Sequence, residues 1–177
     1  MQLHFRIFTS GDYVTARKVI NYHWKYWEGL VIEMKISTKG RYALRMMLEL
    51  AQNQENKPVP IKEISGKQNL SDKYLEQIIS ILNKAGYVKS VRGPQGGYKL
   101  VQSPKDYTVG MILRLTEGSL APVECLEFEE NICPRKESCV TVKVWEKIDR
   151  AVNDVVDSIT LEDLLEWSKD MPKEDSI

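Results

Sequence analysis

The sequence predicts a mostly α-helical protein with one small β-hairpin, an α+β fold. Several segments place apolar residues at helical spacing, a glycine-rich hairpin follows a capped amphipathic helix, and a long apolar stripe lies near the C-terminus. With 177 residues, 42% of them hydrophobic, the chain has the size of one domain, or of one domain with an appendage. This composition excludes a disordered chain, a collagen-like repeat and a disulfide-dense scaffold.

The first two predicted helices lie close together in the sequence. From Ser37 the apolar residues recur at helical spacing, which predicts a first helix that ends near Ala51. A short second helix fits Ile61–Gly66, with Pro60 near its first turn. The apolar positions of the first helix are Ala43, Met46, Met47 and Leu50.

A third helix and a hairpin follow. Ser71 is a suitable N-cap for the helix, and Gly86 is a suitable C-terminal glycine. Two β-type runs, Tyr87–Val91 and Tyr98–Val101, flank a tip rich in glycine at residues 92–97. The apolar face of the helix consists of Tyr74, Leu75, Ile78, Ile79 and Leu82.

This order of elements is that of a winged helix-turn-helix. In such a module the second helix of the pair enters the major groove of DNA. On pattern alone, an unrelated small α+β domain stays open as the alternative.

The C-terminal part has a different pattern. A short helix fits Val109–Leu115, and a loop from Glu117 to Cys139 follows it. Thr160 and Asp163 then form a capping-box-like pair at the start of a last helix. Between the loop and this last helix lies a near-heptad apolar stripe. It favours a helix paired across a dimer, although it could also pack on its own domain. The stripe consists of Val144, Ile148, Val152, Val155 and Ile159.

The segment before Met34 does not resemble the rest of the chain. We expect Met34 to be the physiological start and residues 1–33 to be misannotated upstream sequence; a genuine amphipathic arm is the alternative. The predicted organisation is an extension at 1–33, a winged helix-turn-helix at 34–105, a connecting helix and cysteine loop at 106–139, a dimerisation helix and C-terminal helix at 140–168, and a tail at 169–177.

The zero net charge of the whole chain conceals a strong asymmetry. The net charge is +1 over residues 1–33, +8 over residues 34–105 and −9 over residues 106–177. A basic first half predicts a module that binds a polyanion. No apolar run has the length of a membrane span, and no signal peptide is recognisable, so we expect a cytoplasmic protein with no membrane partner.

The third helix and the hairpin carry the side chains suited to DNA. Lys73 and Tyr74 could reach phosphates or base edges, while Glu76 and Gln77 suit direct readout of cytosine and adenine. Arg92, on a slim glycine-flanked hairpin, suits a narrow minor groove. The candidates for phosphate contacts are Lys39, Arg41, Arg45, Lys89 and Lys99.

All three cysteines of the chain, Cys125, Cys133 and Cys139, lie in one loop with the spacing Cys-x7-Cys-x5-Cys. An odd number of cysteines in an intracellular chain favours metal binding or redox chemistry over structural disulfides. Three thiolates can hold an iron–sulfur cluster or zinc if a fourth ligand is present. The spacing is not that of a zinc knuckle, and cysteines with no ligand remain an alternative.

Three segments together resemble the IscR/NsrR/CymR-type bacterial transcription regulators. They are residues 34–51, the sequence Leu-Ser-Asp-Lys-Tyr-Leu-Glu-Gln at 70–77, and the sequence Val-Arg-Gly-Pro-Gln-Gly-Gly-Tyr at 91–98. The resemblance implies a homodimer that binds near-palindromic double-stranded DNA operators, with Glu76 discriminating sequence and Arg92 in the minor groove. Within the matched segments, the predicted DNA-binding set is completed by Ser71, Gly93 and Tyr98.

The resemblance also implies a cofactor. Cluster-binding members use three cysteines before the dimerisation helix, the position of Cys125, Cys133 and Cys139. We therefore expect an iron–sulfur cluster, 2Fe–2S by resemblance, that modulates a repressor of iron–sulfur assembly or sulfur-metabolism genes.

Two departures leave the fourth ligand unknown. Val142 stands where the iron–sulfur biogenesis regulator has a histidine, and Arg41 stands where the nitric-oxide-sensing branch has an aspartate. The alternative is the cluster-free, cysteine-metabolism branch, whose members respond by binding a metabolic enzyme, here a cysteine-biosynthesis enzyme. Nearby oxygen donors are Glu127, Glu129, Glu130 and Glu137.

Nothing in the sequence favours an enzyme. The chain has no nucleotide-binding glycine motif and no Cys-x-x-Cys pair, and both histidines lie before Met34. The expected function is regulation of transcription.

Overall fold

The computed structural model describes residues 36–53, 57–128 and 133–171. The expectations for residues 1–33 and for the end of the tail lie outside these residues. Within them the chain forms a mostly α-helical fold with one antiparallel hairpin, as the sequence predicts. The elements are α1 Thr38–Gln52, α2 Ile61–Gln68, α3 Asp72–Lys84, β1 Val88–Val91, β2 Gly97–Leu100, α4 Val109–Glu117, α5 Val142–Ser158 and α6 Leu161–Lys169.

Short polar side chains cap the starts of helices, as predicted for Ser71 and Thr160; Ser37 is a further cap that the sequence analysis did not assign. The side chain of Ser37 accepts hydrogen bonds from the N–H groups of Lys39 and Gly40, and the side chain of Ser71 accepts one from that of Tyr74. Thr160 and Asp163 form a complete capping box at the start of α6. These interactions satisfy backbone donors that the first turn of a helix leaves without partners.

Helix α2 is longer than the sequence predicted. It continues past Gly66 to Gln68 and ends at Asn69, whose φ of 50° lies in the left-handed region. The N–H of Leu70 then donates to the carbonyl oxygen of Ser65 over 3.1 Å. Asparagine tolerates this conformation, so the helix ends at Asn69 rather than at Gly66, where the predicted range ended.

The hydrophobic core joins both halves of the chain. Met46 from α1, Leu75 from α3 and Ile112 from α4 are fully buried. Leu161, the first residue of α6, is also 0% exposed and belongs to the same cluster. The C-terminal helix therefore completes the core of the N-terminal half, which the sequence did not predict. We call α1–α4 with the hairpin the head.

The hairpin, which we call the wing, is fixed to the head by its second strand. Val88 pairs with Leu100, and both side chains are buried. Tyr98 also pairs with Val59 in the segment before α2, through N–H···O bonds of 2.9 and 3.0 Å. A Cβ built on Gly97 would lie 2.8 Å from the nitrogen of Pro60 and closer still to the carbonyl group of Val59. This close approach requires glycine.

We expect Gly97→Ala to destabilise the protein by about 1–3 kcal/mol, because backbone atoms would have to separate. Gly66→Ala is the matched control: no atom lies within 4 Å of its added Cβ, and the position is helical. That change should stabilise the protein by about 0.5–1 kcal/mol. Urea unfolding measures both, and a neutral Gly97→Ala would contradict the described contact.

Helix α5 buries none of its side chains completely. Val144 and Val155 of the apolar stripe are 52% and 57% exposed. At about 100° per residue, the stripe lies on the opposite side of α5 from Asn153 and Asp157, which face α4. Among the described residues, the head therefore leaves Val144 and Val155 of the stripe largely uncovered.

Candidate nucleic-acid interface and cysteine loop

The exposed face of α3 gathers three of the predicted DNA-contacting residues. Lys73, Glu76 and Gln77 are all exposed, at helical positions i, i+3 and i+4. The opposite face packs into the core through Leu75, Ile78, Ile79 and Leu82. The polar face is therefore presented outward by a helix whose orientation is fixed by its buried side.

Two predicted contact residues of α3 have a structural partner. The side chain of Ser71 accepts the hydrogen bond from Tyr74 N over 3.3 Å. The ring of Tyr74 packs edge to face on Tyr42, with 6.1 Å between the ring centroids. Both residues hold the start of α3 in place, whatever DNA contacts they also make.

Tyr42, which the sequence analysis left unassigned, also supports a basic side chain. The guanidinium of Arg45 lies over the Tyr42 ring, 5.5 Å from its centroid. Arg41, one turn earlier and also exposed, donates to the side chain of Thr38 over 3.2 Å. Lys39 is half-buried. The exposed rim of α1 thus carries two arginines beside the start of α3.

The wing places Arg92 at its tip. Arg92 is exposed immediately after β1, and Gly93, with a φ of 120°, begins the turn. Gly96 N donates to Gly93 O over 2.9 Å. Tyr98 lies instead on the core side of the hairpin and is half-buried. The tip therefore has the slim shape that entry into a minor groove requires.

Two lysines stand directly opposite each other on the outer face of the wing. Lys89 pairs with Lys99 in the β1–β2 register, so their like charges repel. A phosphate backbone between them would remove this repulsion, which favours a polyanionic partner.

We expect Lys99→Gln to raise the free energy of unfolding of the DNA-free protein by about 0.2–1 kcal/mol at low salt, because it removes the repulsion. The gain should shrink in high salt. Lys84→Gln, the same change at the C-terminal end of α3 where a cation is favourable, should lower stability slightly. Urea unfolding at two salt concentrations measures the change in the free energy of unfolding for both variants. A Lys99→Gln variant less stable than the wild type at low salt would refute the argument.

The cysteine loop lies between α4 and α5. Cys125, Cys133 and Cys139 are half-buried thiols and form no disulfide. Cys125 is in the single turn Glu124–Leu126, and Cys139 lies just before the start of α5. Residues 129–132, between the first two cysteines, are outside the described part.

Cys139 is the thiol with the clearest electrostatic environment. Its Sγ lies 3.3 Å from Thr141 Oγ1. A hydrogen bond from the Thr141 hydroxyl, helped by the backbone N–H of Val142, lowers the pKa of the Cys139 thiol. Since thiolates are the form that binds soft metals, this favours ligation.

The chemistry of the donor set fits an iron–sulfur cluster, because the loop offers three thiols. Their arrangement is not a preformed site: within the described residues no three His, Cys, Asp or Glu side chains form a group that could hold a metal ion. Neither Glu127 nor Glu137, both exposed, completes such a group.

Comparison with known proteins decides the family. The profile of the Rrf2 family, described as an iron-dependent transcriptional regulator, matches residues 36–167. The chain belongs to the Rrf2 family. It is therefore a transcriptional regulator and not an enzyme, in agreement with the sequence analysis.

Two kinds of Rrf2 regulator are similar to the chain. The HTH-type transcriptional regulator CymR of Bacillus subtilis is 48% identical over 135 residues, which are 76% of this chain and 92% of CymR. IscR of Aliivibrio salmonicida is 39% identical over 132 residues, which are 75% of this chain and 77% of that protein. The solved structure of T. potens IscR is 44% identical with a TM-score of 0.64, covering 80% of this chain and 93% of that chain.

These similarities confirm the winged-helix architecture and a DNA-binding role in regulation. No helix among the described residues combines the length and apolar character needed to cross a membrane.

Proposed function

We propose that this Rrf2 regulator is a homodimeric repressor that binds a near-palindromic DNA operator. The observation that carries the proposal is the exposed polar face of α3, with Lys73, Glu76 and Gln77, on a head that also carries Arg92 at the tip of its wing. Glu76 and Gln77 have hydrogen-bonding groups suited to base edges in the major groove. Arg92 suits the minor groove, and the arginines of α1 suit phosphates.

The surface of α5 supports the dimer. Its stripe of valines and isoleucines leaves Val144 and Val155 more than half exposed, and its spacing matches a helix pair. A second copy of the same helix offers a complementary apolar surface, and two-fold symmetry matches a near-palindromic operator.

The finer proposal is that an iron–sulfur cluster, held by Cys125, Cys133 and Cys139, modulates operator binding. When bound, such a cluster supplies a group sensitive to iron and to oxidants. Three thiols in one loop, one of them with a lowered pKa, support it. Since the thiols form no ready-made site with the described residues, binding would have to bring them together, and the loop that does so leads directly into α5. The regulated genes would be those of iron–sulfur assembly or sulfur metabolism.

A second candidate is a cluster-free repressor of cysteine metabolism that responds to a partner enzyme. The observation that favours it is the 48% identity to CymR, whose solved structure is described as that of the global cysteine regulator of B. subtilis.

Purification under anaerobic conditions separates the two candidates. The cluster proposal predicts visible absorption by sulfide- and thiolate-bound iron, with stoichiometric iron and acid-labile sulfide per chain. A colourless protein that takes up neither on reconstitution, yet still binds DNA, would overturn it in favour of the second candidate. Absence of salt-dependent duplex binding would overturn both.

A further inference from the structure

Helix α5 has two contacts with the head near its C-terminal end, in addition to its contact with the turn Glu124–Leu126 of the cysteine loop. The first is a short backbone bridge between the start of α4 and the junction of α5 with α6. Val109 N donates to Ile159 O over 2.8 Å, and Leu161 N donates to Tyr107 O over 3.0 Å. Two hydrogen bonds at one place hold the helix end but define no direction for the rest of α5.

The second contact is made by Arg114 of α4, about 9 Å along that helix from the bridge. Its Nη1 donates to Asp157 Oδ1 over 2.7 Å, and its Nη2 donates to Asp157 Oδ2 over 2.8 Å. Nη2 also donates to the side chain of Asn153, one turn earlier on α5. The Asn153 amide is itself oriented by a 2.9 Å bond to Asp149 O. One planar guanidinium thus contacts two successive turns of α5.

The helices are also very close at this place. A Cβ built on Gly110 would lie 3.0 Å from Val156 Cγ2 and 2.7 Å from Arg114 Nη1, with Asp157 nearer still. Glycine at this position lets α5 approach α4 closely enough for the Arg114 contacts to form.

These contacts fix the orientation of α5 more than they stabilise the fold. The side chains of Arg114 and Asp157 are 37% and 47% exposed, so the pair adds little to stability. A bidentate guanidinium–carboxylate pair, however, fixes orientation in a way that a single charge does not.

We propose that Arg114 is the positioning residue that sets the angle between the head and α5, and thereby the half-site spacing that the dimer selects. The inference rests on the proposed function, in which α5 pairs with its copy and α3 contacts the operator. Over the roughly 25 Å length of α5, a rotation of about 10° moves its far end by about 4 Å, close to the ~3.4 Å rise of one base pair. A loosened angle therefore weakens discrimination between spacings.

The test is a spacing series. Two copies of the half-site that the wild type selects from a random-sequence duplex library are separated by spacers that differ by one base pair. The wild type should prefer one spacing. Arg114→Gln and Asp157→Asn should each lose about five- to tenfold affinity at that spacing and much less at its neighbours, and the double variant should resemble the single ones. Arg114→Lys keeps the positive charge but loses the planar guanidinium that binds Asp157 through two nitrogens, so it should behave like Arg114→Gln.

The control is Glu166→Gln, which removes an exposed ion pair with Lys169 within α6 and should leave the profile unchanged. If the variants keep the wild-type spacing preference, whatever their overall affinity, the inference about Arg114 is overturned and the proposed function is not affected. A wild type without any spacing preference would overturn the proposed dimeric readout as well. Thermal unfolding confirms that each variant is folded, and Asp157→Asn preserves the shape of the native side chain.

Discussion

Replacing Arg92 by alanine is expected to weaken operator binding by roughly 30- to 150-fold. A solvent-accessible contact worth about 1–1.5 kcal/mol, the upper part of the range for an ordinary net hydrogen bond, would be lost from each of two protomers, about 2–3 kcal/mol per dimer. Stability should hardly change, because Arg92 is exposed at the wing tip. Titration of a selected duplex at fixed salt measures the effect. Arg92→Lys should restore only part of the affinity, because a compact ammonium replaces the planar guanidinium.

Lys169→Ala is the matched control for Arg92→Ala. It also removes one positive charge, but from α6, where Lys169 pairs with Glu166. Its affinity should stay within about twofold of the wild type. An Arg92→Ala variant that binds as tightly as this control would remove the wing from the proposed interface.

The Cys133→Ala variant is expected to lose the visible absorption of the anaerobically purified protein, together with its iron and acid-labile sulfide. Two remaining thiols of the loop leave too few soft ligands for a stable cluster. The duplex affinity of this variant should equal that of the wild type without cluster, since its reading residues lie on α3 and the wing.

Ser138→Ala serves as control for Cys133→Ala, because Ser138 lies in the same loop beside Cys139. Among the described residues its hydroxyl donates to the carbonyl oxygen of Arg135, over 3.4 Å. This variant should keep the chromophore. Retention of full iron and sulfide content by Cys133→Ala would contradict ligation by the loop.

Local sequence signals predicted most of the head. Ser71 caps α3, as Thr160 caps α6, because short polar side chains satisfy backbone donors within a few residues. Gly86, with a φ of 75°, ends α3 as predicted, since Tyr87 N donates to Leu82 O over 2.9 Å. Such interactions depend on neighbours in the chain, so spacing and residue type are sufficient to find them.

Contacts between segments far apart in the sequence could not be predicted from the spacing of residues. Leu161 enters the core of a head that begins more than 120 residues earlier, and Arg114 contacts Asp157 across 43 residues. In a sequence, an arginine and an aspartate so far apart are two of many charges. The same holds for the candidate site. The exposure of Glu76 is predictable from the helical period, whereas the packing of Tyr74 on Tyr42 is visible only in the three-dimensional structure.

The measurement that tests the account most directly is the operator affinity of one anaerobic preparation, determined before and after its cluster is removed. The account predicts salt-dependent binding that differs at least about tenfold between the two forms, which corresponds to a coupling free energy of about 1.4 kcal/mol. Both forms should lose affinity when Glu76 is replaced by alanine. Identical affinities with and without the cluster would contradict the regulatory part of the account, and binding indifferent to Glu76 would contradict readout by α3.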